Sequence, residues 1–149
     1  MEYIKIRLSA DLDKSIAELE KTVDGMFQSM NPLFLRRERA WQPQMDVHET
    51  PEEIIITAEI AGVEIEDIEV EANARAIKIS GNRRFMFPRE NMHYHLAEIQ
   101  YGPFERTVIL PAPIDTDISS ASYSNGFLQI RMVKWFGEKN RKIIVESAD

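Results

Sequence analysis

Asn125-Gly126 stands inside the stretch Ser119 to Lys134, between two runs in which apolar and polar residues alternate. Both residues tolerate the positive φ of a type I′ turn, and with alternation on each side they predict a two-residue β-hairpin. That loop length fixes the register. Ser124 faces Phe127, Tyr123 faces Leu128 and Ala121 faces Ile130, so Ala121, Tyr123, Leu128, Ile130 and Met132 share one face, which is a core face. The small Ala121 beside Leu128 and Ile130 marks a place where something packs closely over the sheet, or simple shape matching within it.

The same alternation runs from Trp41 to about Val133. The segments 41–50, 52–62, 67–73, 76–83, 92–100 and 104–111 are short strand candidates, with Pro51, Gly62, Asn73, Gly81, Gly102-Pro103 and Pro111 as punctuation. Short strands in this number with no helix between them predict an all-β fold, a β-sandwich whose two sheets bury their facing sides. Ile54, Ile56, Ala58 and Ile60 fall on one side of their strand, and Ile68, Val70 and Ala72 on one side of the next. The eight acids from Glu52 to Glu71 alternate with them as solvated outer faces. The predicted organisation is an N-terminal arm over 1–40, the sandwich over 41–136 and a C-terminal tail over 137–149.

In the arm, Leu12, Ile16, Leu19, Val23 and Met26 follow three- and four-residue steps. They predict an amphipathic helix over 9–28, with Ser9 or Asp11 as cap and Asn31-Pro32 as stop. Met26, Phe27, Met30, Leu33, Phe34 and Leu35 form an apolar patch of adaptable side chains with little period of its own. Two readings fit it: a helix folded back on its own domain, or a sticky arm for self-association or for non-native chains.

The segment from Gly81 to Gly102 is long for a connection between strands and carries Phe85, Met86, Phe87, Tyr94 and Leu96. Something must cover it. A strand over Met92 to Glu98 can pair with the sheet edge of another subunit, and an ordinary loop lying over its own sheet is the alternative.

Composition removes several classes of function. The 149 residues include no cysteine, which excludes disulfides, thiolate metal sites and thiol nucleophiles. The net charge of −7 resides in the middle, with 15 acids against 8 bases over 41–136 and balance on either side. Such a surface repels phosphate backbones, so no nucleic-acid partner is expected, the short Arg36, Arg37, Arg39 cluster notwithstanding. Neither a signal peptide nor an apolar run long enough to span a membrane is legible, and a cytoplasmic location is expected.

Catalytic chemistry is missing from the pattern, and neither an enzyme nor a cofactor is expected. Asp115-x-Asp117 lies between Pro113 and a serine pair, where Asp caps turns. His93-x-His95 would place two imidazoles on one strand face, which suits a metal ion or a pH-sensitive contact but lacks a further fixed ligand. No Gly-x-Ser-x-Gly, glycine-rich phosphate loop or P-loop lysine occurs.

The tract Ala121-Ser122-Tyr123-Ser124-Asn125-Gly126-Phe127-Leu128 resembles the Ala-x-x-x-Asn-Gly-x-Leu signature of the α-crystallin domain, carried here by Ala121, Asn125, Gly126 and Leu128. Trp41-x-Pro43-x-x-Asp46-Val47 resembles the start of that domain, Glu59 to Val63 a strand end, and Gly102 to Thr107 with Leu110-Pro111 a later strand. The chain is thereby similar to the small heat-shock proteins over about residues 41–136. The resemblance implies an immunoglobulin-like sandwich and an ATP-independent chaperone of the stress response, a holdase that keeps partly unfolded clients from aggregating until ATP-dependent chaperones act. It implies a homo-oligomer of strand-swapped dimers, in which Met92, His93, Tyr94, His95, Leu96 and Arg106 form the dimer interface. The arm residues Met26, Phe27, Met30, Leu33, Phe34 and Leu35 would contact clients. Ile143-Ile144-Val145 resembles the tail motif whose Ile143 and Val145 dock on a neighbour, although the apolar Ile144 fits an ordinary strand equally. The alternative is a β-sandwich adaptor that binds one folded partner.

Overall fold

The computed structural model describes residues 2–9, 11–14, 16–18 and 40–137. Within them nine strands form two sheets: β1 (Glu2–Ile4), β2 (Ile6–Leu8), β3 (Met45–Glu49), β4 (Glu53–Glu59), β5 (Ile68–Ala72), β6 (Ala76–Arg83), β7 (Gly102–Ile109), β8 (Ser120–Ser124) and β9 (Phe127–Val133). One sheet has the order β1-β8-β9-β4-β3 and the other β2-β5-β6-β7.

The alternating residues meet between the sheets, as their period requires. Ala58 faces Leu128, Ile56 faces Ile130 and Ile54 faces Met132 across the β4–β9 pair. From the other sheet Val70 faces Ile79 and Ala72 faces Ile77. All ten are buried in one continuous core with Ile60, Ile68, Phe104 and Ala121. Burying an aliphatic side chain contributes roughly 1.5–3 kcal/mol, so this layer dominates the stability of the fold.

The hairpin register is the one predicted, with Ser124 opposite Phe127, Tyr123 opposite Leu128 and Ala121 opposite Ile130. Asn125 and Gly126 both take positive φ, 52° and 81°. The Gly126 carbonyl accepts from the Ile60 N–H at 2.8 Å, which ties the turn to the end of β4. Asp115 caps the 3-10 turn Thr116–Ile118, its Oδ1 accepting from the Asp117 N–H at 3.0 Å. At the β5–β6 turn the Asn73 Oδ1 accepts from the backbone N–H groups of Arg75 and Ala76, each at 2.8 Å.

Three expectations change. Gly81, taken as turn punctuation, lies inside β6 opposite Ile68. A Cβ there would fall 2.5 Å from the Phe104 ring and 2.2 Å from the Asp67 carbonyl oxygen, so the glycine makes room for an aromatic core residue. Residues 92–98 form no strand in the single chain, because no sheet edge lies alongside to receive their backbone. Residues 2–8, read as part of the arm, form two strands that close one end of the sandwich. Helical residues occur at 12–14 and 16–18, where Leu12 is buried; Ser9 and Asp11 are not helical, and residues 10, 15 and 19–28 of the helix expected over 9–28 lie outside the described residues.

Candidate functional site

The opposite end of the sandwich is open. β3 and β7 are its edge strands, each hydrogen-bonded in a ladder on one side only. Trp41 spans the gap between them, bridging Phe104 with ring centroids 5.1 Å apart, while its indole N–H donates to the Gly102 carbonyl at 3.2 Å. The fully buried Pro43 follows, and the chain then enters β3 with Val47 exposed.

Arg106 shares a face of β7 with Phe104 and Val108, which pack into the core. A cation there cannot stay inside the apolar layer. Its Nη1 reaches the Pro43 carbonyl at 2.7 Å, and the side chain lines a groove of about 390 Å³ with Met45, Asp46, Thr57, Glu59 and Phe127. Among the described residues no carboxylate pairs with Arg106. An inward charge on an edge strand opposes indiscriminate edge-to-edge pairing and favours a partner that brings the matching group.

The connector 84–101 leaves this same end of β6 and returns to β7. Arg83 pins its base: Nε donates to the Ala61 carbonyl and Nη1 to the Gln100 carbonyl, each at 2.9 Å, and the guanidinium lies 4.1 Å from the Trp41 ring centroid. Arg84 follows with Nη2 donating to Asp67 Oδ1 at 2.7 Å, an ion pair that raises the guanidinium pKa. Beyond these anchors the segment is apolar. Phe85 meets Phe87 and Tyr101 edge-on, with centroids 6.1 and 5.0 Å away. With Met92, Tyr94 and Leu96 these rings line a cavity of about 340 Å³. Met86, Leu96 and Ile99 are each about seven-tenths exposed (73%, 73% and 68%).

Of the predicted interface residues, Met92, His93, Tyr94, His95 and Leu96 therefore lie together on an exposed connector, and Arg106 stands in the groove beside the β3 edge. Among the described residues no group of three or more metal-ligating side chains accompanies His93 and His95. Met26, Phe27, Met30, Leu33, Phe34 and Leu35, and the tail pair Ile143 and Val145, lie outside the described residues. Sequence reasoning missed Arg83, whose role depends on carbonyls far away in the chain, and the Tyr123 hydroxyl. That hydroxyl donates to the Ile60 carbonyl at 3.1 Å, and burial raises its pKa above the usual phenol value.

The sequence profile of the Hsp20/alpha crystallin family matches residues 46–146. The chain belongs to that family. The small heat-shock proteins are chaperones, and the relatives agree. Small heat shock protein C2 of Rickettsia felis is 33% identical over 104 residues, covering 70% of this chain and 68% of that one. Heat shock protein 16 of Schizosaccharomyces pombe is 33% identical over 105 residues, covering 68% of this chain and 73% of that one. Among solved structures, a small heat-shock protein from Xylella fastidiosa, described as having a distinct high order structure, superposes with a TM-score of 0.61. It is 31% identical and covers 73% of this small heat-shock protein and 100% of its own chain. Heat shock protein 16.0 of Schizosaccharomyces pombe gives 0.60 at 28% identity, with 85% and 93% covered. The two-sheet sandwich is thus the α-crystallin domain, and no helix among the described residues is long and apolar enough to cross a membrane.

Proposed function

We propose that this chain is an ATP-independent holdase that binds partly unfolded proteins and keeps them from aggregating. The observation that carries the reading is the bare connector: aromatic, Met and Leu side chains stand exposed on a sandwich that also carries an unpaired β3 edge. A contiguous apolar surface of this kind on a lone subunit is an aggregation hazard unless a second copy covers it. In the assembled state residues 92–98 of one subunit pair with the β3 edge of another, and Arg106 contributes from the adjoining groove. Dimers so formed associate further through Ile143 and Val145 of the tail. Met26, Phe27, Met30, Leu33, Phe34 and Leu35 contact clients, because flexible Met and Phe side chains fit many shapes. Hiding apolar surface in assembly and releasing it on heating needs no covalent step, so clients pass to ATP-dependent chaperones for refolding in the cytoplasm.

Light scattering of a thermolabile test protein heated with and without the chain tests this. Suppression of scattering near one subunit per client, unchanged by ATP, is the expected result. Scattering unaffected at tenfold excess of a strictly monomeric chain refutes it and favours an adaptor for one folded partner.

A further inference from the structure

All three histidines of this chain lie on the two segments that the proposed dimer joins: His48 on β3, and His93 and His95 on the connector. Each is exposed in the single chain. The two faces of β3 differ in kind. Met45 and Val47 stand opposite Ala58 and Ile56, which are buried between the sheets, so this face looks inward. Asp46 and His48 stand opposite Thr57 and Ile55 and look outward. The connector divides in the same way, with Met92, Tyr94 and Leu96 alternating with His93 and His95. Val47 and Tyr94, the middle apolar residue of each segment, are 42% and 60% exposed.

When residues 92–98 of a second copy lie along β3, burial decides which face turns inward. Burying Tyr94 and Leu96 against Val47 and Met45 is favourable, whereas burying imidazoles without partners costs free energy. The histidines therefore turn outward, onto the side where Asp46 and His48 stand. Strand direction does not change this outcome. With Tyr94 opposite Val47, antiparallel pairing sets His93 against His48 and His95 against Asp46, and parallel pairing sets His93 against Asp46 and His95 against His48. In both cases the four side chains share one patch. Facing Cβ atoms lie roughly 4.5–5.5 Å apart, and same-face neighbours along a strand about 6.7 Å apart. Three imidazoles and a carboxylate make a full donor set for a four-coordinate divalent transition-metal ion such as zinc. Arg131, which faces Ile55 from β9, is engaged by Glu53 at 2.6 Å, so its charge is already offset.

We propose that the joined edge binds a divalent transition-metal ion between copies, with His93 and His95 of one copy and Asp46 and His48 of the other as its ligands. This rests on the pairing of residues 92–98 with β3 proposed above and adds a ligand to that interface. Among the described residues a single copy gathers no group of three such side chains, so the site is complete only in the assembly. The ion therefore stabilises the assembly by mass action. With two equivalent sites in a two-fold dimer, free metal at tenfold over its Kd lowers the dimer dissociation constant about a hundredfold.

The test is titration of the metal-free full chain with zinc sulfate, read by calorimetry and by native mass spectrometry. The parent should take up about one ion per subunit, and two variants, His48→Ala and His93→Ala with His95→Ala, should each lose that binding. All three positions are exposed, so the variants keep the fold, which circular dichroism checks. Mixing the two variants under subunit exchange decides the matter. A mixed pair has one complete site, with His93 and His95 from one chain and His48 from the other, so random pairing restores about one ion per four subunits. A mixture that binds no more zinc than the separate variants overturns the shared site. So does a parent that assembles through residues 92–98 yet takes up no zinc, and that result leaves the dimer standing. A parent that stays monomeric with and without zinc overturns the site together with the dimer.

Discussion

Replacing Gly126 by valine tests the turn around which the first sheet is built, and its cost can be worked out from two separate terms. The backbone there has φ of 81°, which a β-branched residue tolerates poorly, at roughly 1–3 kcal/mol. In addition, a Cβ would lie 2.9 Å from the Ala61 Cβ and 3.0 Å from its Cα. Ala61 cannot simply retreat, because the neighbouring Ile60 N–H is held by the Gly126 carbonyl at 2.8 Å. Overpacking of this kind adds about 1–3 kcal/mol. The sum is about 2–6 kcal/mol, a large part of the 5–15 kcal/mol typical of a domain, and corresponds to a fall in Tm of roughly 5–20 °C. Gly62 supplies the control. It too has positive φ, 77°, but a Cβ there meets nothing within 4 Å. Urea denaturation followed by circular dichroism should show Gly126→Val to be less stable than Gly62→Val by about 1–3 kcal/mol. Equal losses would refute the argument that the turn is locked against Ala61.

Tyr123→Phe removes the hydrogen bond to the Ile60 carbonyl and should cost about 0.5–1.5 kcal/mol at neutral pH, measured by denaturant titration. Because burial raises the Tyr123 pKa, the fold favours the neutral phenol; its contribution is complete below the unfolded value of about 10 and is lost as pH rises through the folded value. The phenylalanine variant should therefore lose less stability than the parent above about pH 10, and parallel pH profiles would contradict this. Arg106→Ala should weaken dimerisation by roughly 3–5 kcal/mol, if a carboxylate from a second copy is left unpaired in the groove. Sedimentation equilibrium at micromolar concentration reads this directly, and an undiminished dimer would remove that role from Arg106.

Much of the sandwich is legible in the sequence because its determinants are local. Alternation of period two places Ile54, Ile56 and Ala58 inward, and the chemistry of Asn125-Gly126 sets the register of the β8–β9 pair. What escaped reading is set by tertiary contact. Tyr3 to Leu8 do alternate, but each half is only three residues long and becomes a strand because an edge of each sheet lies beside it. Gly81 looks like a turn until the Phe104 ring is placed over it. The alternation over Met92 to Glu98 has the side-chain pattern of a strand without an edge to pair with, so the single chain leaves it irregular and exposed. The resemblance marks Arg106 as a candidate interface residue, whereas its bond to the Pro43 carbonyl depends on how Trp41 and Pro43 lead into β3.

The central claim is that the open end of the sandwich is completed by a second copy through residues 92–98. Native mass spectrometry of the full chain beside a variant lacking those residues, with the circular dichroism of both, tests it most directly. The account predicts assemblies built from even numbers of subunits for the full chain, and folded monomers for the deletion. A full chain that flies as a monomer, or a deletion variant that keeps the parent's assembly mass, would contradict it.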